Sequence, residues 1–303
     1  MRNYKIKNLK SPIQLPHDST TSKLWQKFNR GWWELHPMLY QEQKKILGQP
    51  NSPHAFREID SIFFKSVRHY MPWSRIPFDN LIDFGSLTSK DVLEIGVGCG
   101  STAELIASHC KSFTGIDLTD TACQMTRRRF QFLNLSANLL QMDAENMSFR
   151  DSSFDYIWSW GVVHHSANTR QIINEMHRVL RPGGEAVVMV YHRSFLKYYV
   201  ETGFVRGFLQ GGLLRYRSLN GVLQACTDGA IARHYLSGEW SELCRGLFEI
   251  KKFLVFGQKT ELFLLPQGRL KNILMNIIPD ALTQFFTNQL RFGSFLVAMM
   301  RKI

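Results

Sequence analysis

Cysteine is scarce and badly placed for pairing. The five in 303 residues, Cys99, Cys110, Cys123, Cys226 and Cys244, form no CxxC motif. An odd number at scattered spacing argues against a disulfide framework and against a zinc site. Reduced thiols in a cytoplasmic setting, with no metal, are the expectation. Long apolar runs are missing too, so no segment reads as a membrane-spanning helix. The opening MRNYKIKNLKSPIQLP is basic but has no long apolar stretch behind it, and it does not read as a secretory signal. The sequence has no internal repeat and no low-complexity tract. Acidic residues are the last shortage: 25 Asp and Glu stand against 37 Lys and Arg, a net charge of +12.

Apolar residues are not short. They make up 44% of the chain, enough for a real core. The charge is unevenly spread. Residues 1–89 carry 13 basic and 7 acidic side chains, residues 90–193 carry 10 and 11, and residues 194–303 carry 14 and 7. The middle is neutral and both flanks are basic. The only tight basic cluster, Arg127 to Arg129, is a poor footprint for nucleic acid. The flanking excess reads either as solvated surface or as an attraction for an anionic acceptor or an anionic membrane surface.

The middle third alternates apolar runs with amphipathic segments. Strands are expected at 91–96, 112–118, 137–143, 154–160 and 185–192. Helices are expected over 101–110, from Thr119 or Asp120 to about Leu133, and from an Asn168 cap to a stop at Pro182-Gly183-Gly184. Such alternation predicts a parallel sheet with right-handed crossovers. Ligands in these sheets bind beyond the carboxyl ends of the strands.

The first strand runs into DVLEIGVGCGS, with Glu94 followed by Gly96, Gly98 and Gly100. Glycine packs nothing and costs entropy, so its repeated use implies a ligand close to the backbone at a helix N-terminus. A dinucleotide fingerprint would place its third glycine at 101, which is Ser. Asp117 ends the second strand roughly 20 residues on, where a carboxylate accepts from ribose hydroxyls. Asp143, Ala144 and Glu145 end the third strand, where an acid and a backbone N–H suit adenine. Each of these acids also reads as a simple cap or turn residue.

Taken in order, VLEIGVGCGS, GIDL, DAENMSFRDSSFDYIWSWGVVHHS and EMHRVLRPGG resemble the class I S-adenosylmethionine-dependent methyltransferases, and the type 11 group within them. The resemblance covers about 90–193 and recurs weakly in RFGSFLVAMMRK near the end. It implies an α/β, Rossmann-like sheet of seven strands, mostly parallel, the last antiparallel. The final two strands fall at about 249–257 and 293–301. It implies S-adenosylmethionine as cofactor, with Glu94, Gly96, Gly98 and Gly100 around its methionine end. By the same resemblance Asp117 and Leu118 lie at the ribose, Asp143, Ala144 and Glu145 at the adenine, and Ser159 and Trp160 beside the sulfonium. Alternation puts Trp158 and Trp160 on one side of their strand, and a tryptophan face suits a sulfonium.

A base is needed if the acceptor is a hydroxyl or an acidic carbon, and histidine is the natural one. The candidates are His164, His165 and His192, at the ligand edge of the sheet. Each also reads as structural. A helical region at 1–89 is expected to act as a lid on a domain at 90–303. In 24–47, Trp25, Phe28, Trp32, Leu35 and Leu39 fall at helical spacing, which reads as packing on the core. The other reading turns Trp33, His36 or Tyr40 toward the acceptor. An insertion at 194–245, before the sixth strand, is expected by family analogy to close over the acceptor, with Arg233, His234 and Tyr235 as further candidates. The stretch 273–286 reads as a helix broken at Pro279, in the core or against lipid. The acceptor is expected to be small or lipid-like, apolar or aromatic, and to carry an anionic group or be presented at a membrane. An NAD(P)-dependent oxidoreductase is the rival class. A methyltransferase acting on nucleic acid is disfavoured, because SWGV stands where an amino-methylating DNA enzyme would carry (D/N)PPY.

Overall fold

The first helix, α1 (Ser19–Leu35), starts where the Asp18 carboxylate accepts from the Thr21 N–H. The second, α2 (Pro53–Tyr70), has Ser52 as N-cap, proline in its first turn and Arg68 and His69 in its last. Its buried residues Phe56, Ile59, Phe63, Val67 and Tyr70 recur every three or four positions, so one face packs inward. This is a computed structural model, and it describes residues 5–6, 9–38, 50–263 and 268–303. Leu39, Tyr40 and the rest of the expected helix to 47 lie outside the described residues.

A short helix, α3 (Phe84–Leu87), leads into the sheet. Strands β1 (Asp91–Ile95), β2 (Ser112–Asp117), β3 (Asn138–Gln141), β4 (Phe154–Trp160) and β5 (Leu180–His192) are connected through helices α4 (Ser101–Ala107), α5 (Asp120–Leu133) and α6 (Thr169–Val179). Then come β6 (His234–Tyr235), β7 (Phe248–Phe256) and β8 (Phe295–Lys302). The order is β3-β2-β1-β4-β5-β8-β7, and only β8 runs antiparallel to its neighbours. This is the expected α/β architecture with one addition. The two-residue β6 pairs with β5, at Tyr191 with His234 and His192 with Tyr235, and makes an eighth strand. Pro182-Gly183-Gly184 does not separate helix from strand. It sits inside β5, where the register with β4 slips between Phe154–Leu180 and Tyr156–Glu185.

Alternate residues of the central strands feed two apolar layers. Leu93, Ile157 and Val188 face one, and Val92, Trp158 and Val187 face the other. The chain winds from β1 outward to β3, then returns to β4 on the other side. The switch point therefore falls between the carboxyl ends of β1 and β4. The Arg127 to Arg129 cluster is used internally. Arg129 is 1% exposed and bridges Asp60 of α2 and Glu104 of α4 at 2.8 and 2.9 Å, while Arg127 donates to the Leu139 carbonyl.

Candidate active site

A cavity of about 420 Å³ opens at this switch point. That is within the usual range for small-molecule sites. The turn after β1 forms its floor with Gly96, Val97, Gly98 and Cys99. Gly96 and Gly98 have φ of +84° and +54°, a region disfavoured for any other residue. A Cβ on Gly96 would overlap the Val162 side chain, whereas a Cβ on Gly98 would meet nothing within 4 Å. Gly98 is thus the point where backbone faces open cavity. Gly100, which caps α4 at φ +83°, faces Thr126 and Arg129 instead and lets α5 pack closely.

These differences predict distinct defects. Gly96→Ala should lose about 1–3 kcal/mol more stability than Gly98→Ala, because it overpacks against Val162. Gly98→Ala should mainly weaken ligand binding. Urea unfolding and calorimetric titration read the two separately. Equal stability losses with unaltered binding by Gly98→Ala would contradict this account of the turn.

Asp117 lines the cavity at the end of β2. Its Oδ1 accepts from the Thr119 N–H and hydroxyl at 2.9 and 2.8 Å, and its Oδ2 from the Gly98 N–H at 3.2 Å. Burial pushes this carboxyl up, against the pull of those donors. A carboxylate has about four acceptor positions, so Oδ2 keeps capacity for one more donor. Leu118, Ala144 and Trp160 also line the cavity. Trp160 lies parallel to Trp158, their rings 5.3 Å apart, as the strand alternation requires.

Other expected residues stand behind the wall. Glu94 is buried, accepts from the Thr102 hydroxyl through Oε1, and has no partner for Oε2 among the described residues. Burial pushes its carboxyl up to about 8. Ser159 donates to the Ile95 carbonyl at 3.1 Å. Glu145 accepts from the Ser166 hydroxyl and the Asn168 N–H, which braces the loop after β4. Asp143 accepts at Oδ1 from Gln26 of α1 (2.7 Å) and from the Glu145 N–H (2.9 Å). None of these four lines the cavity.

The three histidines are treated very differently. His192 points away, with Nδ1 donating to the Gly293 carbonyl at 2.7 Å. His164 is fully buried, packed 3.9 Å from the Tyr191 ring, and neither of its nitrogens has a partner among the described residues. Burial holds its pKa well below the usual 6.5, so it is a neutral packing residue. His165 alone lines the cavity. Its Nδ1 lies 2.7 Å from the Ile231 carbonyl. A carbonyl only accepts, so Nδ1 carries the proton and Nε2 keeps its lone pair. Burial lowers the pKa of this imidazole too, although Asp228 opposes the effect.

The insertion at 194–245 contributes no residue to the cavity wall, so it does not close over it as expected. It is a buttress. Ile231 holds His165, and the Asp228 carboxylate accepts from the Tyr191 hydroxyl at 2.8 Å. Arg233 is fully buried and donates to the carbonyls of Gln14, Ser166 and Ala167. His234 is buried with its pKa down to about 3, and Tyr235 donates to the Thr169 hydroxyl. No lysine or arginine lines the cavity among the described residues, which removes the expected cationic partner for an anionic group inside it.

Helix α1 covers the opening. Gln26, Asn29 and Trp33 share one face and line the cavity, and the Trp33 ring meets His165 edge-on at 4.9 Å. The expected packing face is not formed as a unit. Leu35 is 66% exposed, Trp25 lies under Arg233, and Trp32 stacks on His36. The far wall was not anticipated from the sequence. It comes from Phe63, Val67 and Tyr70 of α2, with Met189, Tyr191 and Phe295. The spacing of apolar residues in 53–70 could have found the α2 part.

Residues 93–188, about a third of the chain, match the family model of the methyltransferase domain. Over 100 residues the chain is 35% identical to a phthiotriol/phenolphthiotriol dimycocerosates methyltransferase of Mycobacterium tuberculosis, covering 32% of this chain and 36% of that protein. It is also 35% identical over 100 residues to a phosphatidylethanolamine N-methyltransferase of Cereibacter sphaeroides, covering 32% and 49%. The matches thus span half or less of these relatives' own length. A SAM-dependent methyltransferase structure from Methanosarcina mazei superimposes with a TM-score of 0.51 at 20% identity, over 76% of this chain and 99% of that one, and shares the fold. Residues 93–188 thus carry a methyltransferase domain, and the chain has the fold of a SAM-dependent methyltransferase structure. The family match is confined to that segment, and S-adenosylmethionine is the cofactor that the match and the shared fold imply.

Proposed function

We propose that the protein transfers a methyl group from S-adenosylmethionine to a small or lipid-like acceptor, through oxygen or carbon. The observation that carries this reading is one continuous cavity. It joins the open backbone at Gly98 and the spare acceptor position on Asp117 to an apolar wall of Val67, Tyr70, Met189 and Phe295, with His165 between α1 and the sheet. When bound, the cofactor supplies a methyl group already activated on a positive sulfur. Asp117 would hold the ribose hydroxyls, and the backbone of Gly96 to Gly98 would border the methionine end. Met142 and Ala144 would flank the adenine. Gln26 and the Glu145 N–H both donate to Asp143 Oδ1, so an adenine amino group would take that oxygen in place of Gln26, with α1 acting as the lid. Trp33 and Trp160 would exclude water, and Nε2 of His165 would accept the acceptor's proton.

The relatives' names, a phthiotriol dimycocerosates methyltransferase and a phosphatidylethanolamine N-methyltransferase, support a lipid-like acceptor. So does the apolar wall. The test is calorimetric titration with S-adenosylmethionine and its demethylated product, followed by transfer of labelled methyl to long-chain phenols, alcohols and phosphatidylethanolamine. Failure to bind either form of the cofactor, or a preference for NAD, sinks the reading.

A further inference from the structure

The insertion buttresses the site with one side and leaves the other bare. Its first helix, Phe195–Leu209, has hydrogen bonds that reach back five residues, such as Gln210 N–H to the Val205 carbonyl. Phe204 and Phe208 stack on its outer face, 6.0 Å apart and 55% and 70% exposed. Leu214, in the helix that follows, is 88% exposed. Phe195 continues this ridge to the C-terminal segment, its ring 6.4 Å from that of Phe292. Beyond Phe292 the helices Arg269–Ile277 and Asp280–Gln284 and the turn after them add a second ridge, with Ile277 at 71% and Phe285 at 49%. Monomeric proteins rarely expose contiguous apolar surface on this scale without a use for it.

Charge decides what covers it. Exposed Arg215, Arg217, Arg269 and Arg291 lie along these same segments, and no carboxylate of the described residues pairs with them. The acids nearby are already engaged: Glu201 binds Lys197 and Arg206, and Asp280 binds His69 and Lys259. Aromatic and aliphatic side chains with a cationic rim match the headgroup layer of an anionic bilayer.

We infer that the ridge of Phe195 to Leu214 and the 269–291 segment dock this protein on an anionic membrane surface. The inference is independent of the methyl-transfer reading, because docking is read without turnover. It also accounts for the positive charge that the cavity does not use. The 280–284 helix packs on α2, whose Phe63, Val67 and Tyr70 line the cavity.

The experiment is co-sedimentation of the full chain with vesicles of phosphatidylcholine, with and without phosphatidylglycerol. At least about tenfold more binding to the anionic vesicles is expected, falling with added salt. Phe208→Glu with Leu214→Glu should abolish it and leave cofactor affinity unchanged. Leu214→Glu alone serves if the pair fails to fold, since Leu214 is almost fully solvated. Light scattering without lipid completes the test. A monomer that binds anionic vesicles supports the inference. Absence of vesicle binding overturns it, as does a dimer that Leu214→Glu dissociates, which would make the ridge an interface between two copies.

Discussion

Asp117→Ala is expected to weaken S-adenosylmethionine binding roughly 10- to 150-fold. That is the loss of about 1.5–3 kcal/mol carried by a hydrogen bond to a charged group. The geometry behind it is specific. Oδ1 is occupied by Thr119, and Oδ2 holds the Gly98 N–H and keeps one acceptor position for a ligand. Alanine therefore removes the ligand's acceptor and also frees the glycine turn. Asp117→Asn keeps one oxygen and the shape, so it should fall between the two. Calorimetry measures the constants, and far-ultraviolet circular dichroism confirms the fold. An Asp117→Ala dissociation constant within about twofold of wild type would falsify the ribose assignment.

His165→Gln should lower kcat by about 10²- to 10⁴-fold, the usual contribution of a placed proton acceptor. Cofactor affinity should hardly change. The pH profile carries the sharper signal. Burial lowers the His165 pKa below 6.5, so the ring is neutral at neutral pH and its Nε2 is already free. Activity is then present above that lowered pKa and is lost as pH falls through it. The variant should lack this acidic limb while retaining a small, pH-flat rate. If His165→Gln turns over within about tenfold of wild type and keeps the limb, transfer proceeds by proximity and orientation alone. His164→Gln is a poor substitute for this experiment, because His164 is a sealed packing residue.

The strand and helix order of the middle third was legible because each element carries a local signal. Thr119 and Asn168 cap their helices as their side chains predict, accepting from the Ala122 and Gln171 N–H groups. The glycine turn was legible for the same reason. What the three glycines do individually was not, since Val162 and Thr126, which meet Gly96 and Gly100, lie far along the chain. The histidine pair shows the limit most clearly. His164 and His165 are adjacent and alike in sequence. They are separated by the Ile231 carbonyl, which reaches one of them from 66 residues downstream. Asp143 was read as facing adenine, but a long-range partner, Gln26, decides where its carboxylate points. No local pattern reports either contact. The basic flanks were read as solvated surface or as an attraction for an anionic acceptor or an anionic membrane. Composition alone could not choose among these, whereas the cavity lining among the described residues holds no lysine or arginine.

The Ile231 carbonyl has a consequence for chimeras. Exchanging 194–245 for the corresponding stretch of another protein would look like a change of surface only, because the sheet, the glycine turn and Asp117 remain. It would also remove the acceptor that fixes the His165 tautomer and the guanidinium that ties Ser166 and Ala167 in place. Such a hybrid would load its cofactor normally and yet have an imidazole free to rotate and to protonate on either nitrogen. Transplanting this region therefore calls for carrying residues 5–16 and 163–168 with it, since Ile6, Pro12 and Gln14 bond to Ala230, His234 and Arg233 as one unit.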